Sequence, residues 1–148
     1  MTNDLPTSES ETSSFLAAFE DGSLPKARWT HAAHIFTGAC YVHSFGESAA
    51  IARMRERVSA YNVAVGGQNT ATSGYHETIT LFWIKILAKA MEEATQLSGD
   101  RSARSQFAHA CVERFVGQKS IYADYYDFDL VASAEARQIW MAPNRRPI

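Results

Sequence analysis

Apolar residues along this chain recur at three- and four-residue intervals, the spacing that gathers them on one face of a helix. Stretches of this kind fall at about 11–20, 27–43, 47–62, 75–97 and 102–116, with a shorter one at about 134–140. Asp21-Gly22, Gly46, Ser98-Gly99-Asp100 and Gly117 supply stop signals after them, and Pro143 follows the last. No stretch shows a sustained strand alternation of apolar and polar positions. The predicted class is therefore all-α, a compact helical bundle of four main helices plus short terminal helices. Residues 1–10 are too polar to bury much and are expected to form a disordered tail, leaving 11–148 as a single helical domain. Residues 66–74 are glycine and small polar residues, which read as a flexible loop able to cap a pocket mouth.

The same periodicity assigns directions to side chains. On the fourth predicted helix, Ile79, Trp83, Ile86, Leu87 and Ala90 share a stripe, opposite Lys85, Lys89 and Glu92. His76 falls within the apolar stripe, Glu77 at its margin and Thr80 one turn on. The second predicted helix is apolar almost all round, which marks it as central and buried. His31 and His34 share a face of it, continued by Gly38 and Tyr41. The third offers Ile51, Met54, Val58 and Tyr61 to the core, with Asn62 beside them. A polar strip of His31 and His34 facing His76 and Glu77 would form a pocket.

Three imidazoles and a carboxylate in an apolar interior need partners, a metal or a reaction. One reading is a three-imidazole metal centre of His31, His34 and His76, with Glu77 as fourth ligand or base. Iron, manganese or zinc is the divalent transition metal such a set would take. A second reading is metal-free acid–base catalysis centred on Glu77, whose pKa an apolar setting raises and a neighbouring imidazolium lowers. A third is a hydrogen-bonded structural network. Trp29, Tyr41, Tyr61, Asn62, Tyr75 and Thr80 are the expected substrate-contacting residues. His43 reads as a helix C-cap, His109 and Glu113 as a solvated pair, and Arg137 as a partner for an aspartate of the Tyr/Asp-rich stretch 122–129. That stretch reads as a cover over the end of the bundle.

Composition narrows the classes. The 148 residues are 46% hydrophobic and 20% charged, an ordinary globular balance. A formal net charge of −2 with no basic cluster argues against nucleic acid as a partner. Gly66-Gly67 lacks the lysine and flanking strand of a phosphate loop, so no nucleotide cofactor is expected. Cys40 and Cys111 fall at core positions and read as small hydrophobes in a reducing compartment. No apolar run is long enough to span a bilayer and the first residues carry no leader pattern, so the expected location is cytoplasmic.

Phe19, Leu24, Trp29-Thr30-His31-Ala32-Ala33-His34, Tyr61-Asn62, Gly74-Tyr75-His76-Glu77-Thr78 and Ser133-x-Glu135-Ala136-Arg137 together resemble a family of small uncharacterised bacterial and fungal proteins. The resemblance spans about residue 15 to the C-terminus. It implies that His31, His34, His76 and Glu77 act together. The chain departs from that pattern at Pro143-Asn144-Arg145, where Pro-Asp-Leu is expected. The expectation is thus a small-molecule enzyme, metal-dependent, with the site between the second and fourth predicted helices. The alternatives are a metal-free acid–base enzyme for condensation, cyclisation or isomerisation, and a non-catalytic ligand-binding or structural bundle. A homodimer would be a second way to cover the apolar second helix.

Overall fold

The structure is a computed structural model that describes residues 4–98, 103–118 and 120–148. Helix α1 spans Glu9–Asp21, α2 His31–Ala64, α3 Glu77–Ser98, α4 Arg104–Phe115, α5 Tyr122–Tyr125 and α6 Ala134–Gln138, and a 3₁₀ turn covers Lys26–Arg28. There is no strand among the described residues. The class is all-α, as the periodicity predicts. Helix α2 is the hub: α3 and α4 pack along it, α1 crosses its flank, and α6 closes against α3.

The helix boundaries follow from local chemistry. Ser8 caps α1 by accepting the Glu11 N–H at 3.1 Å, and Gly22 ends it in the left-handed region. The chain ahead of α1 is partly packed: Pro6 is buried and its carbonyl accepts from His109 Nε2. Of the stretch 1–10 expected as a tail, Glu9 and Ser10 belong to α1, and Asp4 and Pro6 contact Arg28 and His109; residues 1–3 lie outside the described residues. The same contact corrects His109, whose ring also lies edge-on to Phe36 rather than in solvent.

Helix α2 begins at His31 and not at residue 27, because Thr30 is extended and its hydroxyl accepts the Ala33 N–H at 3.2 Å. The two helices expected on either side of Gly46 are one element broken at a single residue. Gly46 alone has non-helical dihedrals (φ 83°, ψ 172°), so the path bends without a loop. His43 sits in the last turn before that break, where the C-terminal role was expected, with its ring near Phe107.

Helix α3 is buried on two sides. One side faces α2 through Trp83, Ile84 and Leu87. The other presents Phe82, fully buried against Tyr122, Tyr125 and Tyr126 at 5.2–6.1 Å between ring centres. The Tyr/Asp-rich stretch thus covers the bundle as expected, and wheel analysis missed Phe82 because its stripe was drawn for one partner. Cys40 and Cys111 are free and buried, in keeping with a hydrophobic role. No helix of the described residues is long and apolar enough to cross a membrane. The expected helix ends at Ser98-Gly99-Asp100 and Ser102 fall partly on residues 99–102, outside the described residues.

Candidate functional site

The Trp-Thr-His-x-x-His element places two imidazoles at the first turn of α2. Trp29 stacks on Phe19 at 4.3 Å and meets the His34 ring at 4.1 Å. His34 Nδ1 lies 2.9 Å from the Thr30 carbonyl. A carbonyl only accepts, so Nδ1 carries the proton and Nε2 presents a lone pair. Burial, and secondarily the nearby His31, lower the His34 pKa from 6.5 to about 4, against the opposing pull of the Thr30 bond. His34 is therefore neutral, with one tautomer, at ordinary pH.

His31 and His34 line a cavity of about 300 Å³ between α2 and α3. Its walls are otherwise mostly apolar: Ile35 and Met54 from α2, and Ile79, Trp83, Ile84 and Leu87 from α3. Gly38 lies on this wall, but it does not simply add empty space. A Cβ there would meet Leu87 Cδ1 at 3.0 Å and Ile84 Cδ1 at 3.2 Å, so the glycine lets α3 approach α2 closely. Tyr122 closes the cavity from α5, with its hydroxyl accepting from Trp83 Nε1 at 2.7 Å. Burial raises its pKa despite that bond, so Tyr122 keeps its proton as a donor.

A second hollow of about 520 Å³ adjoins the first, and the two share His34, Ile79 and Thr80. Its wall includes Trp29, Asn62, Tyr75 and His76, with Gly67, Gln68, Ser73 and Gly74 from the loop. That loop is pinned, in contrast to the flexible connection expected. Asn69 Oδ1 accepts from Asn62 Nδ2 at 3.0 Å and from the Tyr75 N–H at 2.9 Å, while Asn69 Nδ2 donates to the Ser59 carbonyl.

The Gly-Tyr-His-Glu-Thr element is a junction in which every residue ties the start of α3 to another part of the chain. The Gly74 carbonyl accepts from Arg137 Nη1 at 2.6 Å. His76 Nδ1 accepts the Ile79 N–H at 3.1 Å, and Nε2 donates to the Leu130 carbonyl at 3.0 Å. Glu77 takes two bonds from Arg55, at 3.1 and 2.7 Å, and one from the Tyr75 hydroxyl at 2.7 Å. Thr78 is fully buried; its hydroxyl donates to the Ile139 carbonyl at 2.7 Å and accepts the Met141 N–H at 3.0 Å.

These bonds correct several expectations. Both ring nitrogens of His76 engage backbone groups and Glu77 engages a guanidinium, partners other than the metal expected for them. Among the described residues no group of three or more His, Cys, Asp or Glu side chains is placed to hold a metal ion. Burial opposes ionisation of Glu77, but the Arg55 and Tyr75 hydrogen bonds outweigh it and its pKa is lowered, by a guanidinium and a hydroxyl where an imidazolium was the expected cause. Tyr41 bonds Glu20 and Tyr61 donates to the Leu24 carbonyl at 2.7 Å; neither lines the cavities. Arg137 binds backbone carbonyls and not an aspartate. Trp29, Asn62, Tyr75 and Thr80 do reach the hollows, and Tyr122 and Met54 join them without having been singled out for the site. The departure at Asn144 has a local reason: its amide donates to Asp127 at 2.7 Å, where an aspartate would meet like charge.

Two imidazoles with lowered pKa values, His76 buried and His34 half-buried, give a pH dependence of stability. His34 and His76 are both shifted down, chiefly by burial, so the unfolded chain takes up protons first as pH falls. Stability is full above about 6.5 and declines toward 4, where folded His34 itself titrates. Urea unfolding should lose about 2 kcal/mol between neutral pH and roughly pH 5 from His34 alone. A flat profile over that interval would contradict a neutral His34.

The site so defined is a partly open, largely apolar cavity in an all-α protein, with a neutral imidazole on its wall. No family model, curated protein or solved structure matches the chain.

Proposed function

We propose that the cavity between α2 and α3 binds a small, largely apolar molecule and moves a proton at it through His34 without a metal. The observation that carries this is the bond from His34 Nδ1 to the Thr30 carbonyl, which commits Nε2 to accepting. A base must be in its unprotonated form and held in place, and burial secures the first while Trp29 and Thr30 secure the second. The Tyr122 hydroxyl, on the same cavity, is the complementary donor. For a bound ketone, Nε2 takes a proton from the carbon beside the carbonyl. The C–H electron pair moves to form the enolate, and Tyr122 hydrogen-bonds the developing oxygen charge. Return of the proton to the same carbon gives exchange, and to another gives isomerisation. The buried imidazolium is disfavoured, so the proton is returned quickly.

Paired probes test this reading. 2-Naphthol should bind roughly threefold to tenfold tighter than naphthalene, the worth of one hydrogen bond. His34→Leu should erase that preference while retaining naphthalene. The wild type should also speed exchange of the ring CH₂ protons of 2-indanone into deuterated water, followed by NMR, and His34→Leu should not. Equal affinity for the two probes would sink the site; a preference without exchange would sink the catalytic half.

A further inference from the structure

The two hollows differ in character, and the side chains they share place them next to one another. The inner one is apolar apart from its imidazoles, Thr80 and the Tyr122 hydroxyl. The outer one carries amide and hydroxyl groups from Asn62, Gln68 and Ser73. His34, Ile79 and Thr80 belong to the lining of both. Formal charge on the outer wall comes from Lys26, an exposed residue of the 3₁₀ turn. Arg137 adds a second cation behind the rim, on the Gly74 carbonyl, and the nearby carboxylate of Glu77 is neutralised by Arg55. The charge on the outer hollow's lining is therefore positive, and the inner hollow is largely apolar.

We infer that the ligand is a two-ended organic acid, its apolar part in the inner cavity, its middle at His34 and its carboxylate at Lys26. This rests on the reading of the inner cavity as a binding site and adds the chemical class that the site selects. A cation at the mouth of an apolar cleft draws anions toward it and orients them, leaving the tail to be buried for its hydrophobic worth. A neutral or cationic head of the same length would gain the second term without the first.

Decanoate, 1-decanol and decyltrimethylammonium, below their micelle concentrations, are the probes. Decanoate should bind roughly threefold to fivefold tighter than decanol, the range of an exposed ion pair, and the cation weakest. From octanoate to decanoate affinity should rise about fourfold per methylene, as expected for a tail entering an apolar cavity. Lys26→Glu, at an exposed position, should remove the preference for decanoate and leave naphthalene binding at the wild-type level. Decanoate no tighter than decanol, or a preference that survives Lys26→Glu, overturns the inference. If 2-naphthol binds and neither ten-carbon probe does, the two-ended ligand is wrong and the inner site stands. If no probe binds, both readings fall.

Discussion

Gly74→Ala should lower stability by about 3–4 kcal/mol, the largest loss expected from any single methyl group added to this chain. Gly74 has φ +80°, where an L side chain is strained, and an added Cβ would lie 2.3 Å from the Gln68 carbonyl oxygen. It would also lie 2.6 Å from Asn69 Oδ1, the atom that receives Asn62 and the Tyr75 N–H. Backbone cannot yield as a flexible side chain does, so residues 68–74 would have to rearrange. Gly66→Ala is the control: φ is +93° but a Cβ meets nothing within 4 Å, so only the backbone strain of about 1 kcal/mol remains. Thermal unfolding should separate the two by several degrees. Equal losses would mean that the close approach around Gly74 is wrong.

His76→Ala is the second large effect, about 3 kcal/mol, and it bears on the histidines as a group. The substitution uncaps Ile79, leaves the buried Leu130 carbonyl without its donor and opens a void. His76→Asn, whose amide reaches the position of Nδ1, should recover about 1 kcal/mol through the cap. Folded His76→Ala should still bind naphthalene in the inner cavity, because His76 does not line it. A catalytic or ligating histidine would behave oppositely, with activity lost and stability kept. Unfolding curves together with probe titrations on the same samples tell these apart.

The contrast shows which parts of the site were legible in the sequence. Period alone placed His31, His34 and Gly38 on one face, and that face does line the cavity, because a helix wheel is rigid once the helix exists. It also placed His76 near the core, where it is buried. What it could not supply was the identity of the partner atoms. Those are backbone carbonyls and N–H groups of Leu130, Ile139 and Met141, 54 to 63 residues away along the chain. Backbone acceptors leave no mark in a sequence, so His76 and Glu77 were grouped with His31 and His34, the imidazoles of the inner cavity, by proximity and type. Arg55 was the available signal: a cation on the predicted core-facing helix, positioned to neutralise a carboxylate. Tyr122 was hidden by its setting among other tyrosines and aspartates, a composition that reads as cover.

The same long-range bonds bear on the order in which the molecule is made. Helices α1 and α2 and most of α3 can form from local contacts, and their mutual packing needs only neighbouring segments. The ties of His76, Thr78 and Gly74 wait for residues 130–141, and closing so long a loop costs entropy before any bond is gained. A chain still emerging from the ribosome would therefore have its second helix in place but an untethered start to α3, and Tyr122 would not yet close the cavity. The pocket's last wall, Tyr122, thus comes from a part of the chain made after both helices that form the rest of it.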